Sequence, residues 1–573
     1  MANFNYSLML SSFLLLLSLQ ISSPIFSIAI SRDNACKSTQ FPSYCTTVLP
    51  DNDTSTVNDF GRFSVRKSLT QSQKFLSWVQ NRLERNSADL SEPAIRALED
   101  CRYLVSLNVD FLRSSIGKVS KTSKVLPTPE ADDLQTSLST VLTNLQTCLD
   151  GLETTPSAAT LKNDVSQMIS NDTKLHSVSL SLCTQGWVPK QMDTASFRSN
   201  GHALWRKGRL PMKMSDQSRA IFEKALRRRR PRPPMRKLFQ VGDEEATIRD
   251  IVVVSQDGSW DFTTINDAIA AAPNNSAASS GYFLIYVTAG VYAEYVNIAS
   301  NKKYLFLLGD GINQTIITGN RNVVDGWTTF NSATLAVTGL GFLAVNITVR
   351  NTAGPSKQQA VALRSGADLS TFYSCSFEAY QDTLYTHSQR QFYRECDIYG
   401  TVDFIFGNAA VVIQNCNIYP RLPLTGQFNA ITAQGRTDPN QNTGTSIQNC
   451  AISPSSDLAS TNAAAAAGNG TYTKTYLGRP WKEYSRTVYM QSFMDSFIDP
   501  AGWRQWNGDF ALSTLYYAEY NNSGPGSDTT YRVNWTGYHV INAMDAANFT
   551  VSTFLLGDMW LPPTGVPYTG GLM

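Results

Sequence analysis

The sequence predicts an all-α four-helix bundle followed by an all-β right-handed parallel β-helix. Three observations carry this expectation. Residues 31–185 place apolar side chains at helical spacing, and from residue 251 the apolar period falls to two. In that second part a four-residue pattern then recurs at intervals of 20 residues or more. Such spacing exceeds the 8–12 residues of sandwich strands and matches the coils of a solenoid.

The chain opens on an apolar run at residues 8–19, LMLSSFLLLLSL. It is short for a membrane span and reads as a signal peptide over residues 1–29, cleaved near Ser27–Ile30. Secretion makes disulfides and the N-x-S/T sequons at Asn52, Asn171, Asn313, Asn346, Asn469, Asn534 and Asn548 meaningful. Asn346 lies inside a strand-like run.

Residues 30–185 form the predicted bundle. Its clearest helix covers 131–152, where Leu134, Leu138, Val141, Leu142, Leu145 and Leu149 make one apolar stripe that includes Cys148. Asp150-Gly151 reads as its stop. Residues 55–83 read similarly. Four cysteines of this region allow three connectivities. Cys36–Cys45 and Cys101–Cys148 are the expected pairs, leaving Cys183 over.

Between 186 and 240 the periodicity collapses. Residues 227–239, RRRRPRPPMRKLF, join dense positive charge to prolines and build no core. In a secreted chain this is an expected cleavage site for a basic-directed protease.

Residues 241–573 form the predicted β-helix. Short β-rich runs at 252–254, 283–287, 304–308, 334–337 and 411–413 alternate with Gly and Asn clusters. The repeat reads Asn346-Ile347-Thr348-Val349, Ser374-Cys375-Ser376-Phe377, Glu395-Cys396-Asp397-Ile398, Asn415-Cys416-Asn417-Ile418 and Asn449-Cys450-Ala451-Ile452, at spacings of 28, 21, 20 and 34. Its second and fourth positions are the expected inward face. The longest gap predicts a loop over 427–445. A Cys416–Cys450 bridge is expected in an oxidising compartment, with Cys375 and Cys396 open between free and paired.

Charge separates the two parts. Residues 241–573 carry 17 basic and 26 acidic side chains, a net −9, and the remainder carries 31 and 20, a net +11. The second part therefore offers no nucleic acid a basic surface. Four histidines with no close His/Cys/Asp grouping predict neither a metal site nor a cofactor.

Gln359, Asp382 and Asp403 follow one another at 23 and 21 residues, about one coil each. Stacked on adjacent rungs, an amide and two carboxylates stand on one face. Two carboxyls so close do not both ionise easily, so one becomes an acid and the other a nucleophile. That is equipment for cleaving an ester.

Five segments stand in order: Gly290-Val291-Tyr292-Ala293-Glu294, Gln359-Ala360-Val361-Ala362-Leu363, Tyr380-Gln381-Asp382-Thr383-Leu384-Tyr385, Asp403-Phe404-Ile405-Phe406-Gly407 and Leu477-Gly478-Arg479-Pro480-Trp481. Together they resemble the motif set of plant pectin methylesterases over residues 251–570. The N-terminal part resembles the pectin methylesterase/invertase inhibitor domain that precedes the enzyme in this family's pro-form. The basic run resembles the family's processing site, ending Arg236-Lys237-Leu238-Phe239 in place of the commoner Arg-Arg/Lys-Leu-Leu.

The resemblance implies roles. Asp403 is the nucleophile, Arg479 holds it ionised, and Asp382 is the acid and then the base. Gln359 and Gln381 donate to the oxyanion. Tyr385, Phe406, Trp481 and Trp503 line a sugar-stacking cleft, while Glu294 is structural and His387 is not required. The implied substrate is methyl-esterified pectin of the cell wall, where the enzyme is secreted. The pro-region is an intramolecular inhibitor; separate inhibitor proteins and a subtilisin-like processing protease are further implied partners. A pectin-cleaving lyase or glycosidase on the same solenoid is the competing expectation, but these five motifs are not theirs.

Overall fold

The computed structural model describes residues 29–52, 54–85, 89–190 and 248–573. The signal-peptide run and the basic segment lie outside the described residues, so the domain boundaries drawn through them rest on sequence alone.

Two short helices, α1 (Arg32–Cys36) and α2 (Pro42–Val48), precede four long ones: α3 (Val57–Arg85), α4 (Glu92–Val119), α5 (Thr128–Glu153) and α6 (Ala159–Trp187). The long helices pack as neighbours in a bundle, α3 against α4 and α6, and α5 against α4 and α6. Ser91 caps α4 by accepting from the Ala94 amide, with Pro93 in the first turn. The apolar stripe predicted on α5 is buried at Leu134, Leu138, Val141, Leu142 and Leu145. Gly151 does not stop the helix; it continues to Glu153, where the Thr154 hydroxyl binds the Asp150 carbonyl. A single glycine costs a helix only about 1 kcal/mol, which packing overrides. Cys101–Cys148 ties α4 to α5 and Cys36–Cys45 ties α1 to α2.

From Ile248 the chain winds into a right-handed parallel β-helix of three sheets with 11, 7 and 8 strands, every pairing parallel. The predicted repeat sets the register of the eight-stranded sheet. Thr348 pairs with Ser376, Ser376 with Asp397, Asp397 with Asn417 and Asn417 with Ala451. Ile347, Val349, Cys375, Phe377, Cys396, Ile398, Cys416, Ile418, Cys450 and Ile452 all face the central core. The first position of each repeat is a turn residue at positive φ: Asn346, Ser374, Glu395, Asn415 and Asn449 lie between 49° and 59°. Asparagine tolerates this left-handed conformation better than most residues, which is why it recurs there.

Cys416 and Cys450 do not form the expected bridge; both are free and buried. They belong to the inward ladder, where side chains on successive rungs run parallel, whereas a disulfide needs Cβ vectors turned toward each other. Their thiols donate along the ladder instead, Cys450 to the Ile413 carbonyl at 3.4 Å and Cys416 to that of Gln414 at 3.4 Å. Cys375, Cys396 and Cys183 are likewise free.

A short helix, Ile265–Ala271, closes the first coils by burying Ile265, Ala268 and Ile269 in the central core. Glu294 holds its start, accepting from the Ile265 and Asn266 amides at 2.9 and 3.1 Å, so its role here is structural. At the other end Val551, Leu555, Leu561 and Val566 pack over the outside of the 11-stranded sheet.

Candidate active site

The seven-stranded sheet carries the site. Its outward column is read from the register: Ala336 pairs with Arg364, Arg364 with Tyr385, Tyr385 with Phe406 and Phe406 with Ala433. Thr432 pairs with Gly478, and Gly478 bridges to Trp503, so Arg479 and Arg504 continue the column on the next two coils. Each rung is about 4.8 Å from the next.

The turns that feed this sheet present the acids. Leu363, Leu384 and Ile405 are in register, so Asp382 and Asp403, each two residues earlier, stand on consecutive rungs. Both occupy the left-handed region, φ 65° and 54°, and the Asp382 amide donates to the Val402 carbonyl at 3.1 Å. Non-glycine residues held there are a recurring feature of functional sites. Gly407 closes the Asp403 strand at φ +127°, where a Cβ would meet the Thr386 carbonyl oxygen at 2.0 Å. Only glycine fits there.

Arg479 grips Asp403 with both arms, Nε to Oδ1 at 2.7 Å and Nη2 to Oδ2 at 2.6 Å. The fork is steadied over Trp506, 4.2 Å from its ring centroid. Both aspartates are buried, at 7 % and 6 % exposure. Burial first, then the neighbouring Asp403 charge, push the Asp382 carboxyl well above the usual range, against the pull of Arg479. Burial also raises Asp403, but its direct bond to Arg479 opposes this. The pair is thus asymmetric: Asp382 is pushed up by burial and by its neighbour's charge, while the upward push on Asp403 is opposed by its bond to Arg479.

The glutamines are offset from the expected stack. The sheet's register of 21 residues places Val361, not Gln359, directly on the rung of Asp382. Gln359 lies two residues earlier and half-buried, its carbonyl accepting from the Val323 amide at 3.1 Å, and its Oε1 is buried without a hydrogen-bond partner. Gln381 is half-buried beside Asp382, and its carbonyl accepts from the Ala360 amide at 3.2 Å.

Tyr385 and Phe406 stack at 4.1 Å, and Trp481 meets Phe406 edge-on at 5.9 Å. Trp503 is not in the cleft. It is 1 % exposed, stacked on Tyr517 at 4.1 Å, and donates to Glu519 at 3.2 Å in the core. The cleft aromatic of that coil is Trp506, three residues on, which the sequence reading missed. The segment Trp503-Arg504-Gln505-Trp506 offers two indoles, and the coil turns one inward and one outward.

The helical bundle lies across this face. Phe330, Val361, Tyr385, Phe406 and Ala433 share one apolar cluster with Leu98, Leu104, Leu145 and Leu152 of the bundle, and Trp481 and Trp506 pack against it. Polar pins surround it. Asp100 accepts from Thr328 Oγ1 and Asn331 Nδ2. Lys482 pairs with Asp150 at 2.7 Å, and His387 Nε2 lies 3.0 Å from Thr147 Oγ1. Arg390, 7 % exposed, binds Asp132 at 2.7 Å and Asp133 at 2.5 Å while also holding Asp368 of its own coil at 2.6 Å. Two cavities between the bundle and the sheet hold about 10 Å³ each. Small-molecule sites run to roughly 300–1,000 Å³.

Fold and site together define a carboxylic ester hydrolase of the parallel β-helix class. The chain belongs to the pectinesterase family: the family model described as Pectinesterase matches residues 251–558. A second model, Plant invertase/pectin methylesterase inhibitor, matches residues 31–182. The chain is 60 % identical over 563 residues to "Probable pectinesterase/pectinesterase inhibitor 7" of Arabidopsis thaliana, covering 94 % of each. It is 47 % identical over 524 residues to "Pectinesterase 2" of Citrus sinensis, covering 90 % of this chain and 89 % of that one. Among solved structures, "Pectin methylesterase from Carrot" aligns with a TM-score of 0.54 at 54 % identity, over 56 % of this chain and 98 % of that one.

Proposed function

We propose that the enzyme hydrolyses methyl esters of cell-wall homogalacturonan, releasing methanol and leaving free galacturonate. The observation that carries this is the forked Arg479–Asp403 pair one rung from a buried Asp382. Asp403, kept ionised by Arg479, attacks the ester carbonyl. Gln359 and Gln381 donate to the tetrahedral oxyanion, each donor contributing about 3–4 kcal/mol to lowering the barrier. As the intermediate collapses, the C–O bond to methoxide breaks and Asp382 gives it the proton. The resulting mixed anhydride on Asp403 is opened by water, whose proton returns to Asp382. Galacturonate leaves, and both acids regain their starting states. Tyr385, Phe406, Trp481 and Trp506 offer the sugar rings apolar faces.

The bundle acts as an intramolecular inhibitor: with it seated, the apolar cleft is filled by leucines. Cleavage in the basic segment 227–239 by a subtilisin-like protease separates the two parts, and separate inhibitor proteins of the same type take the vacated face. Secretion to the cell wall agrees with the N-terminal apolar run and the sequons. Among the described residues no helix is long and apolar enough to cross a membrane.

The test is methanol release from methyl-esterified pectin by the purified chain, before and after proteolysis in the basic segment. Methanol without new reducing ends or unsaturated uronides is the expected result. New reducing ends in place of methanol would return the reading to a glycosidase, and unsaturated uronides in place of methanol to a lyase.

A further inference from the structure

Arg504 has no part in the chemistry above, yet it stands on the active column one coil beyond Arg479. Its amide donates to the Gly478 carbonyl at 3.0 Å, which fixes that register. Its guanidinium lies 4.0 Å over the Phe428 ring and 5.4 Å from that of Tyr476, while Phe428 is itself 5.3 Å from the Arg479 guanidinium. The two arginines are therefore neighbours across one aromatic ring. Arg479 is spent on Asp403, but the Arg504 guanidinium has no carboxylate or hydrogen-bond partner among the described residues. Asp499 of the adjoining turn is engaged with Lys474 at 3.3 Å. Arg504 is half-buried, and the bundle's hydrogen bonds, which reach Lys482, do not extend to it.

We propose that Arg504 is a subsite for a free carboxylate, binding a galacturonate unit beside the ester under attack. The inference rests on the proposed reaction. A polyuronide lying along the column offers one carboxyl per sugar, ester or acid. Stacking on Phe428 holds the guanidinium plane still and leaves its donor fork open, the geometry that suits a carboxylate and gains nothing from a neutral methyl ester. Each turnover converts an ester into the group Arg504 recognises. The enzyme therefore favours chains that already carry free acid and extends demethylated stretches instead of starting new ones.

The experiment compares the full chain, proteolysed in the basic segment, with its Arg504→Gln and Arg504→Lys variants. kcat/KM for methanol release is measured on nearly fully esterified and on half-demethylated pectin. The wild type is expected to favour the half-demethylated substrate. Arg504→Gln loses that preference by about three- to tenfold, chiefly through KM, as a half-exposed charged pair implies. Arg504→Lys, charged but without the fork, falls between. Thermal melting confirms that each variant is folded. A folded Arg504→Gln enzyme with an unchanged preference ratio overturns the subsite. Absence of methanol release from wild type on both substrates instead overturns the reaction itself, so the two failures are distinguishable.

Discussion

Replacing Asp132 and Asp133 with alanine tests whether the bundle restrains the enzyme, because both residues lie on the bundle side of the interface. Asp132 is 6 % and Arg390 7 % exposed by side chain, and they meet at 2.7 Å. A charge-assisted bond so buried contributes about 1.5–3 kcal/mol. Asp133 is 42 % exposed, so its 2.5 Å contact is discounted to about 0.5 kcal/mol. Arg390 keeps Asp368 at 2.6 Å and so is not left as an unpaired buried charge; inside the bundle the double variant gives up only the exposed 3.4 Å contact of Asp133 with Lys118, a pair that contributes little. Docking therefore weakens by about 2–3 kcal/mol, a ~30- to 150-fold shift toward the open form. The assay is methanol release by the unproteolysed chain, read against the same chain after proteolysis. The double variant's unproteolysed activity is expected to rise by that factor or until it reaches the proteolysed level. An unproteolysed double variant no more active than wild type, while proteolysis still activates both, would refute these pins. Equal activity of wild type before and after proteolysis would refute restraint altogether.

Two further outcomes follow from the acids. Burial raises Asp100 to about 7 in the docked structure, with Arg364, Thr328 and Asn331 pulling down and Glu99 pushing up. The docked state therefore binds a proton that the freed aspartate releases, so docking loosens as pH rises from about 4 to 7 and, with both states ionised, changes no further through this group above 7. Activity of the unproteolysed chain should climb from pH 5 to 7 more steeply than that of the proteolysed chain, and Asp100→Asn should flatten the difference; parallel profiles would count against it. Within the site, Asp382 is raised and must be protonated to act, while Asp403 must be ionised. Activity of the proteolysed enzyme should fall on the alkaline side as Asp382 loses its proton and on the acid side as Asp403 gains one. Asp382→Asn should cost ~10²–10⁴-fold and remove the alkaline limb; an alkaline limb that persists unchanged in this variant would assign it to another group.

Much of the second domain is legible because a solenoid writes its register into the chain. The interval between repeats is the interval between paired residues, so 28, 21, 20 and 34 reappear as the pairings of the eight-stranded sheet. The carboxylate pair follows, because both aspartates precede in-register strands by the same two residues. Where intervals vary, legibility fails: Gln359 was placed at 23 residues from Asp382, but the sheet's step is 21. The Cys416–Cys450 expectation failed because residue type and compartment say nothing of Cβ direction, which the inward ladder dictates. Trp503 and Trp506 are indistinguishable by composition, and it is the bridge of Gly478 to Trp503, a pairing the sequence does not announce, that sets Trp503 on the inward column. The bundle's seat was not legible at all. Asp132 and Arg390 are 258 residues apart and carry no local signal of their meeting.

The most direct measurement is methanol release from esterified pectin by the proteolysed enzyme carrying Asp403→Asn, with melting as the check on folding. The substitution keeps the shape and takes away the charge that Arg479 holds. Turnover at least ~10³-fold below wild type, with the melting transition retained, is the result expected of a nucleophile. Near-normal methanol release from that folded variant would contradict an attack by Asp403.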